Sequence, residues 1–222
     1  MSIIKDYKNF SIYDKMTPFS GGGISLDRPY VICHMTTSID GKVTGNFLKS
    51  PECANAVEIY YEINRDYNAD AYACGRVTME ESFTGGEKIT FTDSNITFSD
   101  GNGNKDYIAT KKAKFFAVSF DRNGIVGWRS SEISDEDPGY NKAHIIEVLS
   151  EKASPEYLSY LRKTGISYIF AGKNDIDINT ALKKLYSYFN IKTLLLEGGS
   201  IINGAFLRAE VIDELSIVVA PI

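Results

Sequence analysis

The sequence predicts an α/β domain, with a central, mostly parallel sheet and helices on both faces. Three observations carry that prediction. Short apolar runs recur along the chain, and the densest, Leu194-Leu195-Leu196, suits a strand buried on both faces. Segments with a single apolar stripe fall between these runs, and alternating strands and helices build parallel βαβ units. Two of the strands run directly into glycine and a helix start, at Gly75-Arg76-Val77-Thr78 and at Glu197-Gly198-Gly199-Ser200.

Residues 1–27 carry little pattern and contain Gly21-Gly22-Gly23, so they read as an N-terminal arm before a single domain spanning 28–222. Tyr30 to Met35 is β-branched and aromatic, and forms the first strand. Asp40-Gly41 turns the chain after it. Ser50-Pro51-Glu52 then opens a helix with a cap, a first-position proline and an acid against the dipole. Ala54, Val57 and Tyr61 share one face of that helix. A strand over 71–74 leads into the first glycine junction. Residues 83–110, rich in Gly, Asn, Asp, Ser and Thr, read as a long loop or mobile hairpin.

Strands follow over 115–120 and 144–149, the first ending in the polar turn Asp121-Arg122-Asn123-Gly124. Ser154-Pro155-Glu156 starts a helix carrying Leu158 and Leu161, which Gly165 closes. A strand over 167–171 and a helix bearing Ala181, Leu182, Leu185 and Phe189 lead to the leucine run. Ser200 is placed to cap the next helix, whose apolar positions are Ile201, Ile202, Ala205 and Phe206. The strand 214–220 closes the pattern. No internal repeat and no second domain are visible.

Composition bounds the function. A chain of 222 residues, 43% hydrophobic and 24% charged, is globular rather than disordered. No apolar run approaches a membrane span, and the N-terminus lacks a signal-peptide pattern. Cys33, Cys53 and Cys74 are odd in number and not closely paired, which fits a reduced, cytoplasmic setting. A net charge of -5 argues against nucleic acid as a partner.

The glycine junctions carry the chemistry. A helix start exposes unpaired N–H groups, a natural seat for phosphate. Glu197 stands at the carboxyl end of its strand, where open α/β sheets bind ligands. An ordinary tight turn explains one such junction equally well; two in one chain favour a nucleotide site. Asp40 and Lys42 are either plain turn residues or charges presented at a strand end. Arg65 is either a helix-end cation favoured by the dipole or a ligand for a substrate phosphate. His34 is flanked by apolar residues and reads as packed, and His144 is remote from the motifs.

Taken in order, Arg28-Pro29-Tyr30-Val31, Thr37-Ser38-Ile39-Asp40-Gly41-Lys42, Gly75-Arg76-Val77-Thr78, Glu197-Gly198-Gly199, Asp213-Glu214-Leu215 and Ala220-Pro221 resemble one family. It is the reductase domain of the bacterial riboflavin-biosynthesis deaminase–reductases, which has a dihydrofolate-reductase-like fold, and the resemblance spans 28–222. It implies NADPH-dependent reduction of 5-amino-6-(5-phosphoribosylamino)uracil, with hydride transfer to C1 of the ring-opened ribose imine. By the same resemblance, Thr36, Gly75, Arg76 and Thr78 line the NADPH site. Gly198 belongs to the same cofactor site, and the backbone of Gly199 to Ala205, with Ser200, Ile201 and Asn203, surrounds the pyrophosphate. Arg122 falls near the adenosine end, where a guanidinium suits a 2′-phosphate; its plainer reading is a solvated turn residue. Glu197 and Asp40 are the catalytic candidates, and Lys42, Arg65 and Glu197 the substrate-binding ones. A homodimer joined near the C-terminal strand is also implied.

Three features depart from the family. No His-x-Glu with Pro-Cys-x-x-Cys occurs, so neither the zinc deaminase half nor a metal site is expected. Phe83-Thr84-Gly85-Gly86-Glu87 stands where the family has an Asp-Asp-Pro segment that helps to hold substrate. The family also continues into a closing pair of strands after the position of Ile222. Two alternatives therefore stand beside the riboflavin reading: a reductase of the same fold acting on another pterin-like or carbonyl substrate, and a nucleotide-binding module without turnover.

Overall fold

Parallel strands covered on both faces bury every side chain, and three of the apolar runs do so completely: β3 (Phe116–Phe120), β4 (His144–Leu149) and β5 (Ser167–Phe170). With β1 (Tyr30–Ser38), β2 (Ala71–Gly75), β6 (Thr193–Leu196) and β7 (Glu214–Ala220) they form one sheet in the order β5-β4-β3-β2-β6-β1-β7. Every pairing between these strands is parallel. The computed structural model describes residues 27–86, 89 and 105–222. The expected N-terminal arm, apart from its last residue, and most of the 83–110 loop lie outside the described residues.

The helices are α1 (Ala54–Tyr67), α2 (Arg76–Met79), α3 (Pro155–Thr164), α4 (Ile178–Phe189) and α5 (Ser200–Arg208), and α2 runs on into a wider turn, Glu80–Thr84. They cover both faces. Val31, Cys33, Ala71, Ala73 and Val118 pack under Leu182 and Leu185 of α4 and Phe206 of α5. Alternate residues of the same strands, Ile32, Tyr72, Cys74 and Ala117, face Tyr157, Leu158 and Leu161 of α3. On that side α1 lies against the end of the sheet, with Cys53 and Ala56 against Val218 and Ala220. No helix among the described residues is long and apolar enough to cross a membrane.

Local chemistry sets most of the boundaries. Ser154 Oγ accepts from the Tyr157 N–H at 3.2 Å, Pro155 takes the first position, and Gly165 ends α3 at φ +77°. Asp177 caps α4 by accepting from Thr180 N at 2.6 Å. β1 runs three residues beyond the apolar segment, to Ser38, because β7 pairs with it from Ile32 to Ser38.

Two helix starts differ from expectation. Ser50 makes no side-chain cap; tight turns at Asn46–Lys49 and Pro51–Cys53 intervene, and α1 begins only at Ala54. That shift turns Ala54 outward, and Cys53, Ala56 and Asn64 become the deepest positions. In α5 the cap position belongs to Gly199, and Ser200 is the first helical residue, with no side-chain cap bond. Ile202 and Phe206, four residues apart, then define the buried face, which leaves Ile201 86% exposed.

Candidate active site

An all-parallel sheet brings the carboxyl ends of its strands to one edge, and the two glycine junctions meet there because β2 and β6 are neighbours. The Glu197 N–H donates to Ala73 O at 2.9 Å, extending the β6–β2 pairing by one residue, and the Gly75 N–H donates to Gly198 O at 2.7 Å. Gly198 adopts φ +99°, whereas Gly199 lies at −71°. The conformation that only glycine adopts freely is therefore at Gly198.

Glu197 is 9% exposed and held from three sides. Asn64 Nδ2 of α1 donates to Oε1 at 2.7 Å, and the Tyr140 hydroxyl donates to Oε2 at 3.0 Å. The Tyr60 hydroxyl also bonds the carboxyl group. Burial pushes its pKa up to about 7, against the hydrogen bonds from Asn64, Tyr140 and Tyr60, which favour the ionised form. Two clefts meet at this carboxyl. One, of ≈ 290 Å³, is lined by Met35, Thr36, Val57, Tyr60 and Tyr61 among others. The second, of ≈ 300 Å³, is lined by Tyr72, Cys74, Thr78, Phe83 and Tyr140 with Tyr60 and Tyr61.

The residues beside the glycine turn suit a dinucleotide. The start of α5 has no side-chain cap, and Ser200 and Ile201 are exposed there, which leaves the first N–H groups open. A Cβ at Gly199 would lie 3.5 Å from Thr78 Oγ1, so that hydroxyl faces the turn. Asn203 Oδ1 is buried without a hydrogen-bond partner. Thr78 and the Gly198–Gly199 turn thus meet at one place, while Thr36 lines the first cleft. Arg122 follows β3 on the same edge, half exposed, with Asp175 at 3.5 Å. Arg76 points instead to Glu80, at 2.5 Å.

The other expected residues sit apart from the carboxyl. Asp40 is on an exposed turn, held down to about 2 by hydrogen bonds from Lys42 and then Ser38, and neither Asp40 nor Lys42 lines either cleft. Arg65, in the last turn of α1, is bonded to Asp137 and to Glu58, the latter at 3.1 Å. His34 is packed, as its apolar flanks imply: its ring stacks on Tyr60 at 4.2 Å, Nε2 meets Tyr60 O at 3.0 Å and Nδ1 meets Ser216 Oγ at 2.9 Å. Among the described residues no cluster of three His, Cys, Asp or Glu is placed to hold a metal.

Sequence reasoning missed Asn64, Tyr60 and Tyr140. The spacing of Tyr60 and Asn64, one helical turn apart on the inward side of α1, is a signal that was there to be read. Tyr140 lies between β3 and β4 in a stretch without periodicity and offers none.

Residues 140–222 match the RibD C-terminal domain family. Over 200 residues the chain is 35% identical to the 2,5-diamino-6-ribosylamino-4(3H)-pyrimidinone 5′-phosphate reductase of Methanothermobacter thermautotrophicus, covering 87% of this chain and 78% of that one. The protein of the same name from Aquifex aeolicus is 24% identical over 197 residues, covering 89% and 79%. Among solved structures, a pyrimidine reductase-like protein of Corynebacterium diphtheriae superposes with a TM-score of 0.59 at 16% identity, over 92% of this chain and 80% of that one. The Saccharomyces cerevisiae riboflavin biosynthesis reductase Rib7 gives 0.57 at 14%, over 92% and 78%. The architecture is dihydrofolate-reductase-like.

Proposed function

Because the chain belongs to the riboflavin-biosynthesis family of pyrimidinone phosphate reductases and is an oxidoreductase, we propose that it uses NADPH to reduce the ribosylamino side chain of a pyrimidine to a ribitylamino chain. The observation that supports this most directly is the position of Glu197, buried where two clefts meet, beside a glycine turn and an uncapped helix start. When bound, the reduced nicotinamide supplies the hydride. The chain's own residues do the rest. The N–H groups at the start of α5 and the Thr78 hydroxyl hold the dinucleotide, and the tyrosine walls exclude water. The Glu197 carboxylate would offset the positive charge of the protonated, ring-opened imine, which is lost when C1 gains a hydride and the C=N π pair moves onto the nitrogen.

The substrate expected from the family motifs, 5-amino-6-(5-phosphoribosylamino)uracil, and the one in the relatives' name differ at ring position 2, oxygen in the first and an amino group in the second. Both carry the group to be reduced. Arg122 is the residue we assign to the 2′-phosphate, giving a preference for NADPH over NADH. We further propose a homodimer, supported by the open apolar stripe Leu215, Ile217 and Val219 on β7, and a reducing, cytoplasmic setting, supported by three buried free thiols.

The test is loss of reduced-nicotinamide absorbance with each pyrimidine in turn. Oxidation that depends on the pyrimidine is expected. Tight NADPH binding without oxidation by any pyrimidine of this type overturns the proposal.

A further inference from the structure

The wall of the site at Tyr60 is backed by a second ring. Tyr60 lines both clefts, so one side of its ring is open, and its hydroxyl bonds the Glu197 carboxyl. A side chain placed in this way has room to swing into either cleft unless its closed side is held. On that side lies His34 of β1, fully buried and used by no step of the reaction. Its imidazole stacks on the Tyr60 ring, with centroids 4.2 Å apart and planes 6° from parallel, and the Tyr67 ring meets it edge-on at 6.1 Å.

The imidazole is itself fixed at both nitrogens. Nε2 lies 3.0 Å from Tyr60 O, which can only accept, so Nε2 carries the proton. Nδ1 therefore accepts from the Ser216 hydroxyl of β7, at 2.9 Å. Burial pushes the His34 pKa down from its ordinary value, which keeps the ring in this neutral form at pH 7. The stack sets the plane of the Tyr60 ring, and the bond to Tyr60 O sets the height of α1 over the sheet.

We infer that His34 is a positioning residue for the reduction: it backs the Tyr60 ring and so keeps the Tyr60 hydroxyl on the Glu197 carboxyl. The inference rests on the reading of Glu197 as the charged group opposite the imine. The Tyr60 bond favours the ionised carboxyl. Losing it raises the pH at which Glu197 ionises, and activity that needs the carboxylate then appears later as pH rises. The titratable groups facing Glu197 are Tyr60 and Tyr61 from α1, Tyr72 and Cys74 from β2, and Tyr140 and Asp137 from the segment before β4. Burial moves these phenols and the thiol up, away from neutrality, and Asp137 is bonded to Arg65, so a midpoint near 7 reports Glu197.

The test is the pH dependence of kcat for the full chain, with saturating NADPH and saturating 2,5-diamino-6-ribosylamino-4(3H)-pyrimidinone 5′-phosphate. Wild-type kcat should rise with pH along a limb set by Glu197. His34→Leu should move the midpoint of that limb up by about one pH unit and leave KM for NADPH unchanged. Tyr60→Phe should do the same. The two changes together should move it no further than Tyr60→Phe alone, because both remove one interaction. His34→Gln keeps a donor for Tyr60 O without the stacking face. It should give a smaller shift in the same direction, and it carries the test if His34→Leu does not fold. Either His34 variant keeping the wild-type midpoint, with only kcat or thermal stability lowered, overturns the inference and makes His34 purely structural. A double variant whose shift is the sum of the two single shifts also overturns it. A wild-type kcat with no rising limb overturns instead the reading of Glu197 on which the inference rests.

Discussion

At the scale of single residues, Glu197 concentrates the site's energetics. Its carboxyl ionises near 7 in the folded chain against 4.5 outside it. The folded state therefore holds the proton more tightly, and this group's contribution to stability falls by about 3 kcal/mol as pH rises from 4.5 to 7. Glu197→Gln removes that fall. Urea unfolding of both proteins across this window should show the wild type losing stability relative to the variant as pH rises. A constant difference would mean that the carboxyl does not titrate there. The same variant should lower kcat while leaving NADPH affinity intact, since only the interaction with developing charge is lost. Arg122 supplies the complementary case. Its ion pair with Asp175 is between exposed groups and worth little, so the guanidinium is free to meet a phosphate. Arg122→Ala should weaken NADPH roughly tenfold or more and NADH hardly at all, as read by titration of each. Equal weakening of both would remove Arg122 from the 2′-phosphate. Of these residues Glu197 was legible, because a leucine run ended on it. Its partners were not: a buried asparagine on a helix and a tyrosine in an aperiodic stretch acquire meaning only when the chain brings them together.

At the scale of elements, the glycine turn separates two adjacent residues by what each tolerates. Both are glycine in the sequence, and the pattern there does not distinguish them. The backbone does. Gly198 has φ +99°, and a Cβ on it would come within 3.3 Å of Met35 Sδ. Gly198→Ala should therefore cost about 2 kcal/mol, seen as a lower urea midpoint. Gly199 lies at −71°, with only Thr78 Oγ1 near its missing Cβ. Gly199→Val should leave stability nearly unchanged and reduce NADPH binding by filling the space the hydroxyl faces. The reverse ranking would show that the turn is organised around Gly199. Strand and helix positions were readable throughout, because burial on two faces and 3.6-residue stripes leave a periodic record in the chain. Starts of helices were less so: a serine after two glycines suits a cap, yet the turn consumes both glycines and carries Ser200 into α5.

At the scale of the whole molecule, the edge strand β7 alternates cleanly. Ser216, Val218 and Ala220 face α1, and Leu215, Ile217 and Val219 stand 63, 47 and 55% exposed. Three apolar side chains in a row on an edge are a liability unless covered. A second copy meeting this stripe covers it on both partners at once. Light scattering should give a dimer mass for the wild type and a monomer mass for Ile217→Asp. A wild-type monomer at micromolar concentration would reject the pairing.

The bond from Gly75 N–H to Gly198 O bears on how such an enzyme can diverge. It ties two strand ends together through main-chain atoms, and both of its residues lack side chains. The floor of the site is thus fixed by the course of the chain, while its walls are tyrosines, a phenylalanine and two acids. A lineage can exchange those walls one residue at a time and still keep the glycine turn and the helix start beside it. Superposition over most of the chain at 14% identity is what that division of labour allows.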